Sequence, residues 1–390
     1  MNFIKELSAN NYDEIFALSQ FAFQYVLTEE ERKKKKEEAE RHKIWGVMDN
    51  DKIAAKLHLI PLSVYIHGRE FKMGGISSVA TWPEYRRKGM VKDLLLHALR
   101  VMKEEGQTVS YLHPFSVPFY RQFGWEIAFS KKCYDIPMTN LKKQWEGNGY
   151  VKRIDKDIPL LQKLYTPYIQ KYNGALIRDE KWWMQRVLRN ESVVAAAFNE
   201  NDEAEGYLIY TVKDDLVKVE ELVYLSLNGL NVLLQFISNH DSMAKKVEMV
   251  VAENDNLPQL VDEPRFEQKL KPYFMARIVD VHFHLKQYFE HISMNGGSLH
   301  LFVEDTFLPE NTGTYTLAEV DGKINVSFSS STKGNVIGIR LTVQQLASIL
   351  FGYKRPMELY ELGLVKGNEQ DIDKLEQIIP RKQTYFPDFF

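Results

Sequence analysis

The feature that most constrains the fold is a strand, a basic glycine-containing loop and a helix that follow one another directly. The apolar strand Ile76 to Thr81 enters the turn Trp82 to Tyr85, and the loop Arg86-Arg87-Lys88-Gly89 then leads to a helix from Met90. A helix start presents free backbone N–H groups and the positive end of the helix dipole, and a glycine lets the backbone approach a phosphate closely. This order predicts an α/β unit with an anion-binding loop at the end of one strand.

The loop belongs to neither of the two best-known phosphate-binding motifs. It lacks the Gly-Lys-Ser/Thr of a P-loop and the Gly-x-Gly-x-x-Gly of a dinucleotide-binding turn. The loop alone also fits an exposed basic turn in which Gly89 only caps a helix. The strand before it and the helix after it favour the pyrophosphate of coenzyme A.

Composition limits the classes of protein that the chain can represent. Its 390 residues predict two or three domains, and 50 basic against 53 acidic residues, a net charge of −3, argue against a general nucleic-acid binder. The single cysteine, Cys133, excludes an intramolecular disulfide and any multi-cysteine metal site. The N-terminus shows no secretory signal, and no apolar run reaches the roughly 20 residues of a membrane span. We therefore expect a cytoplasmic protein without a membrane span.

Hydrophobic periodicity divides the chain into three units, at residues 1–148, 149–287 and 288–390. The first unit has helices at 10–23 and 90–105, strands at 44–48, 53–59, 63–66, 71–79 and 108–112, and a charged helix near 29–38. The second repeats this plan with helices at 158–173, 181–189 and 227–239 and strands at 193–198, 204–212, 216–224 and 246–251. Its segment Val223 to Leu230, where a second loop would lie, contains no basic residue. The third unit reads as small and α+β, with strands at 298–303, 313–320, 324–328 and 334–341, a turn at Lys333-Gly334, and helices at 342–351 and 368–378.

Histidines offer little sign of a metal site. His282-Phe283-His284 would place two imidazoles on one face of a strand, but the sequence supplies no third ligand nearby. We expect no bound metal.

A family resemblance rests on two motifs. Arg86-Arg87-Lys88-Gly89-Met90-Val91 resembles motif A of the GNAT acetyltransferases, with Val91 in place of the usual small residue, and Tyr120-Arg121-Gln122-Phe123-Gly124-Trp125 follows it. With a degenerate second copy and a small last domain, the whole chain resembles the Eis (enhanced intracellular survival) family of N-acetyltransferases. The resemblance implies an α/β (α+β) fold, in which tandem GNAT folds precede a sterol-carrier-like domain whose C-terminus enters the active site.

The resemblance also implies acetyl-CoA as cosubstrate and places its contacts. The pantetheine arm would bind Val79, Ala80 and Thr81, and Phe115 and Ser116 would flank the thiol. The pyrophosphate would bind Arg87, Lys88, Gly89, Met90, Val91 and Lys92.

Transfer of an acyl group from a thioester to an amine needs an acid and a base. Tyr120 is the candidate acid, because a phenol can protonate a departing thiolate, although it could also be a core tyrosine. The aromatic tail Tyr385 to Phe390 would be costly to expose, so we expect it to be buried, which would raise the pKa of the terminal carboxylate. The resemblance makes that carboxylate of Phe390 the base; a tail docked only for packing is the alternative. His113 more simply orients its turn.

The resemblance implies amine substrates, with aminoglycosides acetylated at several positions and protein lysines as the two classes. Asp388 is the first candidate to face the cleft and bind a polycation, ahead of Asp13, Glu14, Glu29 and Glu30, although an ordinary surface acid is the simpler interpretation of each. Phe21, Phe23 and Tyr25 could form an apolar wall or belong to the core. A different function stays open, in which the last domain carries an apolar ligand and the GNAT folds are scaffold. The resemblance also implies a homohexamer.

Overall fold

Three β-sheets organise the part of the chain that the computed structural model describes, residues 3–294, 296–330 and 338–390. Two sheets have seven strands each and the third has four. Helices and sheets are both substantial, so the α/β (α+β) class expected from the sequence is confirmed. Within the described residues no helix is long and apolar enough to cross a membrane.

The first third of the chain forms helices and strands close to the predicted positions. In order, the elements are β1 (Ile4–Leu7), α1 (Tyr12–Phe23), α2 (Glu29–Ala39), β2 (Lys43–Asp49), β3 (Lys52–Ile66), β4 (Arg69–Thr81), α3 (Met90–Glu104), β5 (Val109–Leu112), α4 (Val117–Arg121), β6 (Glu126–Ile127) and β7 (Ser130–Pro137). The strands expected at 53–59 and 63–66 are one continuous strand, β3, of 15 residues.

The middle of the chain repeats this layout. Its elements are β8 (Tyr150–Ile154), α5 (Ile158–Ile169), α6 (Glu180–Trp182), β9 (Val193–Phe198), β10 (Ala204–Lys213), β11 (Leu216–Tyr224), α7 (Leu227–Ser238), β12 (Lys246–Val251), β13 (Glu267–Pro272), β14 (Met275–Ile278) and α8 (Val281–Phe289). A π-helical turn, Trp183–Val187, continues α6. Short 3₁₀ turns lie at Ala9–Asn11, Pro83–Tyr85, Met138–Asn140, Leu257–Gln259 and Pro309–Asn311.

The two large sheets exchange one strand each. The first sheet has the order β1-β2-β3-β4-β5-β14-β6, and the second has the order β13-β7-β12-β11-β10-β9-β8. Thus β14 pairs with β5 through Ala276 and Tyr111, while β7 pairs with β12 through Ile136 and Val247. The division of the sequence at 148/149 and 287/288 stays a prediction, and the sheets cross the first of these boundaries in both directions.

The third sheet has the order β17-β16-β15-β18 and carries helices on it. Its elements are β15 (Ser298–Glu304), β16 (Gly313–Val320), β17 (Lys323–Ser329), β18 (Ile339–Thr342), α9 (Val343–Phe351), α10 (Pro356–Glu361) and α11 (Glu369–Ile378). Thr342 caps α9 as expected, because its hydroxyl accepts from the backbone N–H of Gln345. Most of the strand predicted at 334–341, and its turn at Lys333-Gly334, lies outside the described residues.

Helix α3 shows how the apolar pattern places the glycine loop. Its buried residues recur at steps of one, three, one and three, which puts them on one face: Leu94, Leu95, Ala98, Leu99 and Met102. They share a core with Leu57 and Leu59 of β3 and with Trp125. The helix is thereby fixed against the first sheet, with its N-terminus at the end of β4.

The prediction of a strand at His282-Phe283-His284 is wrong, because this segment opens helix α8. The carboxylate of Asp280 accepts a hydrogen bond from the backbone N–H of Phe283 at 3.0 Å and so caps the helix. His284 is buried with Nδ1 3.2 Å from Thr108 Oγ1, whereas His282 Nε2 lies 3.2 Å from the carbonyl oxygen of Val326. The two imidazoles therefore point to different neighbours and do not form a metal-binding pair.

Candidate active site

Strands β4 and β5 diverge before β4 ends, and a cavity opens between them. Their parallel pairing ends at Ile76 and Leu112, so the β5-facing edge of β4 has no strand partner among the described residues as far as Thr81. The cavity has a volume of about 550 Å³ and is lined by residues 77–79 on one side and 113–115 on the other. An open strand edge offers unpaired N–H and C=O groups to a ligand that carries amides.

A bulge in β4 shapes the wall of this cavity. The register between β3 and β4 shifts between Lys56 and His58, and Ser78 has a φ of +51°. Lys56 is fully buried, and its Nζ donates to the carbonyl oxygen of Ser78 at 2.9 Å and to its Oγ at 2.7 Å. A left-handed backbone at a residue other than glycine costs about 1–3 kcal/mol, so Lys56 stabilises a conformation that the strand alone would disfavour.

Two histidines continue this polar contact to the cavity surface. His58 Nε2 lies 3.2 Å from Lys56 Nζ, and His58 Nδ1 lies 3.1 Å from Nδ1 of His42. Burial lowers the pKa of Lys56 to about 7, that of His42 to about 3, and that of His58 below its ordinary range. None of these three residues was predicted as a site residue from the sequence. The available signal was Lys56 and His58 two positions apart in an otherwise apolar strand.

The glycine loop lies at the N-terminus of α3, as the sequence predicted. Gly89 immediately precedes the helix with a φ of +77°, and Arg87 has a φ of +64°. Arg86, Arg87 and Lys88 are exposed, and a side chain added at Gly89 would meet no atom within 4 Å. The first-turn N–H groups of Met90 to Lys92 therefore face open space beside three cations, an arrangement suited to a pyrophosphate.

The predicted cosubstrate residues occupy three neighbouring places. Val79 and Phe115 line the cavity. Ala80 and Thr81 continue β4 from there toward the loop, and Ser116 is the residue before α4. Their assignment to acetyl-CoA stays a prediction.

Tyr120 lies in α4 and faces the cavity with its ring held on several sides. Phe115, Phe119 and Trp125 have ring centroids 5.5, 5.1 and 6.4 Å from that of Tyr120. Burial raises the pKa of its phenol well above the ordinary value, so the hydroxyl keeps its proton at neutral pH. No hydrogen bond joins this hydroxyl to another described residue, which leaves its proton available to a bound molecule.

The C-terminal tail is buried, which confirms the expectation drawn from its aromatic composition. Tyr385, Phe386 and Phe390 are each under a tenth exposed, whereas Phe389 is half exposed. The ring of Phe390 lies against the backbone of β4, since a Cβ added at Gly75 would be 2.8 Å from Phe390 Cε2. Phe389 and Phe390 line the same cavity as Tyr120.

The carboxylate of Asp388 is not free to bind a polycation, contrary to its prediction as a polycation ligand. Its carboxylate accepts from Nε of Arg178 at 3.0 Å and from Nε1 of Trp182 at 2.7 Å, and it is 4% exposed. The same guanidinium makes two further bonds to Glu221, at 2.9 and 2.6 Å. Asp388 is therefore an anchor that ties the tail to the middle of the chain, and no free carboxylate remains for a substrate.

The other predicted acidic residues lie outside the cavity. Asp13 pairs with Arg32 at 2.7 Å, Glu30 pairs with Lys34 at 2.8 Å, and Glu14 accepts from the backbone N–H of Ile53. Exposed Glu29 belongs to the first turn of α2.

Two of the three aromatic residues that could form an apolar wall do line the cavity. Phe23 and Tyr25 line the cavity, and Phe21 contacts Trp82 with ring centroids 4.9 Å apart. His113 lines the cavity too, with its ring centroid 5.1 Å from that of Phe389.

Three charged side chains that sequence analysis missed complete the cavity wall. Glu38 of α2 accepts from Lys35 at 2.9 Å and pairs with Arg186 of the π-helical turn at 3.0 Å. All three line the cavity. Glu38 and Lys35 belong to the charged helix predicted near residues 29–38, and nothing in the sequence indicated that Arg186 would reach them.

The corresponding helix of the second large sheet is α7, and side chains of this chain already bond to its N-terminus. Ser226 caps α7, and its Oγ accepts from the backbone N–H of Gly229 at 2.9 Å. Glu205 accepts from Ser226 Oγ and from Nδ2 of Asn228, both at 2.8 Å. A carboxylate thus lies where an incoming phosphate would need positive charge.

Family models match three successive parts of the chain. An acetyltransferase (GNAT) domain matches residues 3–128, a second acetyltransferase (GNAT) domain matches residues 174–278, and a sterol carrier protein domain matches residues 285–387. These matches follow the order of domains that the sequence resemblance implied.

Single proteins that match most or all of the chain agree with this order of domains. An uncharacterized N-acetyltransferase of Streptomyces avermitilis is 24% identical over 375 residues, covering 88% of each chain. A probable N-acyltransferase from Enterococcus faecalis has a TM-score of 0.91 at 24% identity, and Eis1 from Mycobacterium abscessus has 0.81 at 18% identity; both cover 100% of each chain. At these identities the two solved structures show a common fold.

Proposed function

Because this chain is an N-acetyltransferase of the GNAT superfamily with an Eis-like order of domains, we propose that it transfers the acetyl group of acetyl-CoA directly to an amine in the cavity between β4 and β5. The observation that carries this proposal is that Tyr120 and Phe390, assigned as acid and base from the sequence, line one cavity. The residues come from opposite parts of the chain, so only the fold brings them together.

The residues present fit the successive parts of coenzyme A: the pantetheine arm, the pyrophosphate and the thioester. The open edge of β4 from Ser77 to Thr81 supplies backbone groups for the amides of the pantetheine arm. The helix start with Arg87, Lys88 and Gly89 supplies N–H groups and charge for the pyrophosphate. The thioester would then lie between Val79 and Phe115, beside Tyr120.

In the proposed reaction the α-carboxylate of Phe390 takes a proton from the ammonium group of the acceptor. The free amine attacks the thioester carbonyl and the new C–N bond forms. The nitrogen then loses its second proton to solvent, and the C–S bond breaks as the tetrahedral intermediate collapses. Tyr120 gives its phenolic proton to the departing thiolate, and solvent returns that proton. The bond between Arg178 and Asp388 fixes the tail two residues before the carboxylate, which holds the base in place.

Aminoglycosides are the acceptor class that the sequence resemblance implied, and protein lysines are the second. Both remain proposals, to be compared directly with other amines. A carrier function for the last domain is less well supported, because its tail supplies Phe389 and Phe390 to the cavity wall. We also propose that the protein is a hexamer and lies in the cytoplasm. Analytical ultracentrifugation would measure its oligomeric state.

The experiment follows thiol release from acetyl-CoA with a panel of aminoglycosides, polyamines, amino acids and lysine peptides. Two variants separate the carboxylate of Phe390 from its ring: a Gly-Gly extension moves the carboxylate, and Phe390→Leu keeps it. We expect the extension to lower kcat about 100-fold or more and Phe390→Leu to lower it far less. Intact mass confirms that the protein used ends at Phe390. Equal losses in both variants would assign the tail to packing, and no thiol release with any amine would overturn the function.

A further inference from the structure

A second cavity continues the first one beyond Phe389. It has a volume of about 400 Å³ and shares four lining residues with the cavity of Tyr120: Lys35, Glu38, Arg186 and Phe389. The far end of a long acceptor whose amine reaches the thioester would therefore lie past Phe389, in this second space. The charges there decide which acceptors fit.

Each side-chain carboxylate that lines the two cavities already contacts a cation. Glu38 is held by both Lys35 and Arg186, at 2.9 and 3.0 Å. Glu220 lies 3.8 Å from Arg189 and accepts from Ser192 Oγ at 2.9 Å. The remaining two, Asp388 and Glu221, share the buried guanidinium of Arg178. A polycationic acceptor thus meets no unpaired side-chain carboxylate among the described lining residues.

The cations that line the second cavity are less fully compensated. Lys131 and Lys218 line it without forming an ion pair to any described residue, and Lys131 Nζ lies 5.2 Å from the ring centroid of Tyr273. Arg186 and Lys35 share the single carboxylate of Glu38. Burial lowers the pKa of Arg186, so its guanidinium has lost hydration that Glu38 does not fully replace. The described side chains that line the second cavity include six cations and four carboxylates, which leaves an excess of two positive charges. The cations are Lys35, Lys131, Arg178, Arg186, Arg189 and Lys218, and the carboxylates are Glu38, Glu220, Glu221 and Asp388.

We propose that the acceptor is an amine that also carries an anionic group, a carboxylate or a phosphate, and that Arg186, Lys35, Lys131 and Lys218 bind this group while the amine meets the Phe390 carboxylate. This inference rests on the proposed function and names its substrate class. An acceptor with charges of opposite sign at its two ends matches the cavity along its length, whereas a polycation is repelled at the far end.

Matched acceptors test this assignment by thiol release from acetyl-CoA. The panel pairs 6-aminohexanoate with 6-aminohexanamide and 2-aminoethyl phosphate with ethanolamine, and kanamycin represents the polycations. We expect kcat/KM to be about tenfold or more higher for each anionic member, the size of one charge-assisted hydrogen bond. Added salt should raise KM for the anionic members alone.

Variants assign the preference to the basic residues. Arg186→Gln should raise KM for 6-aminohexanoate about tenfold more than it raises KM for 6-aminohexanamide, so that the preference between the two acceptors is lost. Lys131→Gln provides the same test at a partly buried contact should Arg186→Gln fold poorly. Lys34→Gln, in an exposed pair with Glu30, is the matched control and should change nothing.

The outcomes separate this inference from the proposed function. A preference for anionic amines that disappears in Arg186→Gln or Lys131→Gln supports it. Equal use of each pair, or a preference for kanamycin, would overturn the substrate class while thiol release itself upholds the transferase. No thiol release with any acceptor would overturn both.

Discussion

The guanidinium of Arg178 donates through Nε to the carboxylate of Asp388 at 3.0 Å, and this bond joins the middle of the chain to its last residues. Both side chains are almost fully buried, at 1% exposure each. Arg178 also lies over the rings of Tyr165 and Trp183, with centroid distances of 4.1 and 4.6 Å. The position of Phe390 in the cavity therefore depends on a charge supplied by a different part of the fold.

Removing the charge of Asp388 should loosen the tail. We expect Asp388→Asn to lower the free energy of unfolding by about 3 kcal/mol, because Arg178 keeps Glu221 but loses one buried partner. It should also lower kcat more than KM, since the proposed base is displaced. Urea unfolding and steady-state thiol release measure the two effects. A destabilised variant with wild-type kcat would show that the tail takes no part in the reaction.

A small change under the ring of Phe390 tests the same position without altering a charge. Gly75→Ala adds a methyl group 2.8 Å from Phe390 Cε2, so the ring must move and kcat should fall about tenfold or more. Gly74→Ala is the matched control, because its methyl group would meet Gln107, Met102 and Leu59 instead. We expect the control to lose stability and to keep kcat in thiol-release assays at a temperature where both variants are folded. Similar kcat values for both variants would contradict this placement.

The loop at the start of α3 should control affinity for acetyl-CoA. Replacing one cation that binds a phosphate removes a charge-assisted contact, so Arg87→Gln should raise the Kd of acetyl-CoA about tenfold and weaken its salt dependence. Isothermal titration calorimetry measures this directly. Arg265→Gln, an exposed arginine paired with Glu263 at 2.6 Å, serves as the control. Unchanged affinity in Arg87→Gln would remove the loop from the cosubstrate site.

The buried amine of Lys56 predicts a specific dependence of stability on pH. Burial lowers its pKa in the folded protein to about 7, against about 10.4 in an unfolded chain. Between these values the unfolded state binds a proton that the folded state does not, so this group makes the protein more stable as pH rises from 7 toward 10. Below pH 7 both states are protonated, and the cost of burying the charge is largest there.

Urea unfolding of Lys56→Met and wild type at pH 7 and pH 9 measures this effect. The nearby groups His42, His58, Lys35, Arg186 and Glu38 are common to both proteins. We expect wild type to gain about 2 kcal/mol relative to the variant between the two values. The exposed Lys52 at the start of the same strand gives the control, Lys52→Met, with no such gain. Parallel pH profiles for Lys56→Met and wild type would show that Lys56 stays charged.

Local sequence patterns predicted the parts of the site that a short segment specifies by itself. The glycine loop at the start of α3 and the cost of exposing the tail can both be recognised within a few residues. The resemblance added the assignment of Tyr120, and the structure adds that it shares a cavity with Phe390. The loop and the burial of the tail could be predicted because each depends on residues that are close together in the sequence.

Features that depend on distant partners could not be predicted in this way. Asp388 has the sequence surroundings of a cleft residue, and only the fold brings Arg178 to it. The exchange of β7 and β14 between the sheets depends on pairing across more than a hundred residues. The periodicity at His282 to His284 fitted a strand over a short window, whereas the cap from Asp280 and the burial of one side specify a helix. The sequence of the charged helix α2 likewise did not indicate that its residues Lys35 and Glu38 face a cavity.

The most direct test of the account is kcat for Tyr120→Phe, measured by thiol release at saturating acceptor together with the Kd of acetyl-CoA. The change removes one hydroxyl that bonds to no described residue, so folding and cosubstrate binding should be preserved. We predict that kcat falls about 100-fold or more while Kd stays within about twofold. Tyr150→Phe, whose exposed hydroxyl donates to Asp202, should leave both unchanged. A Tyr120→Phe enzyme with wild-type kcat would contradict the assignment of the cavity between β4 and β5 as the site where the thiolate is protonated.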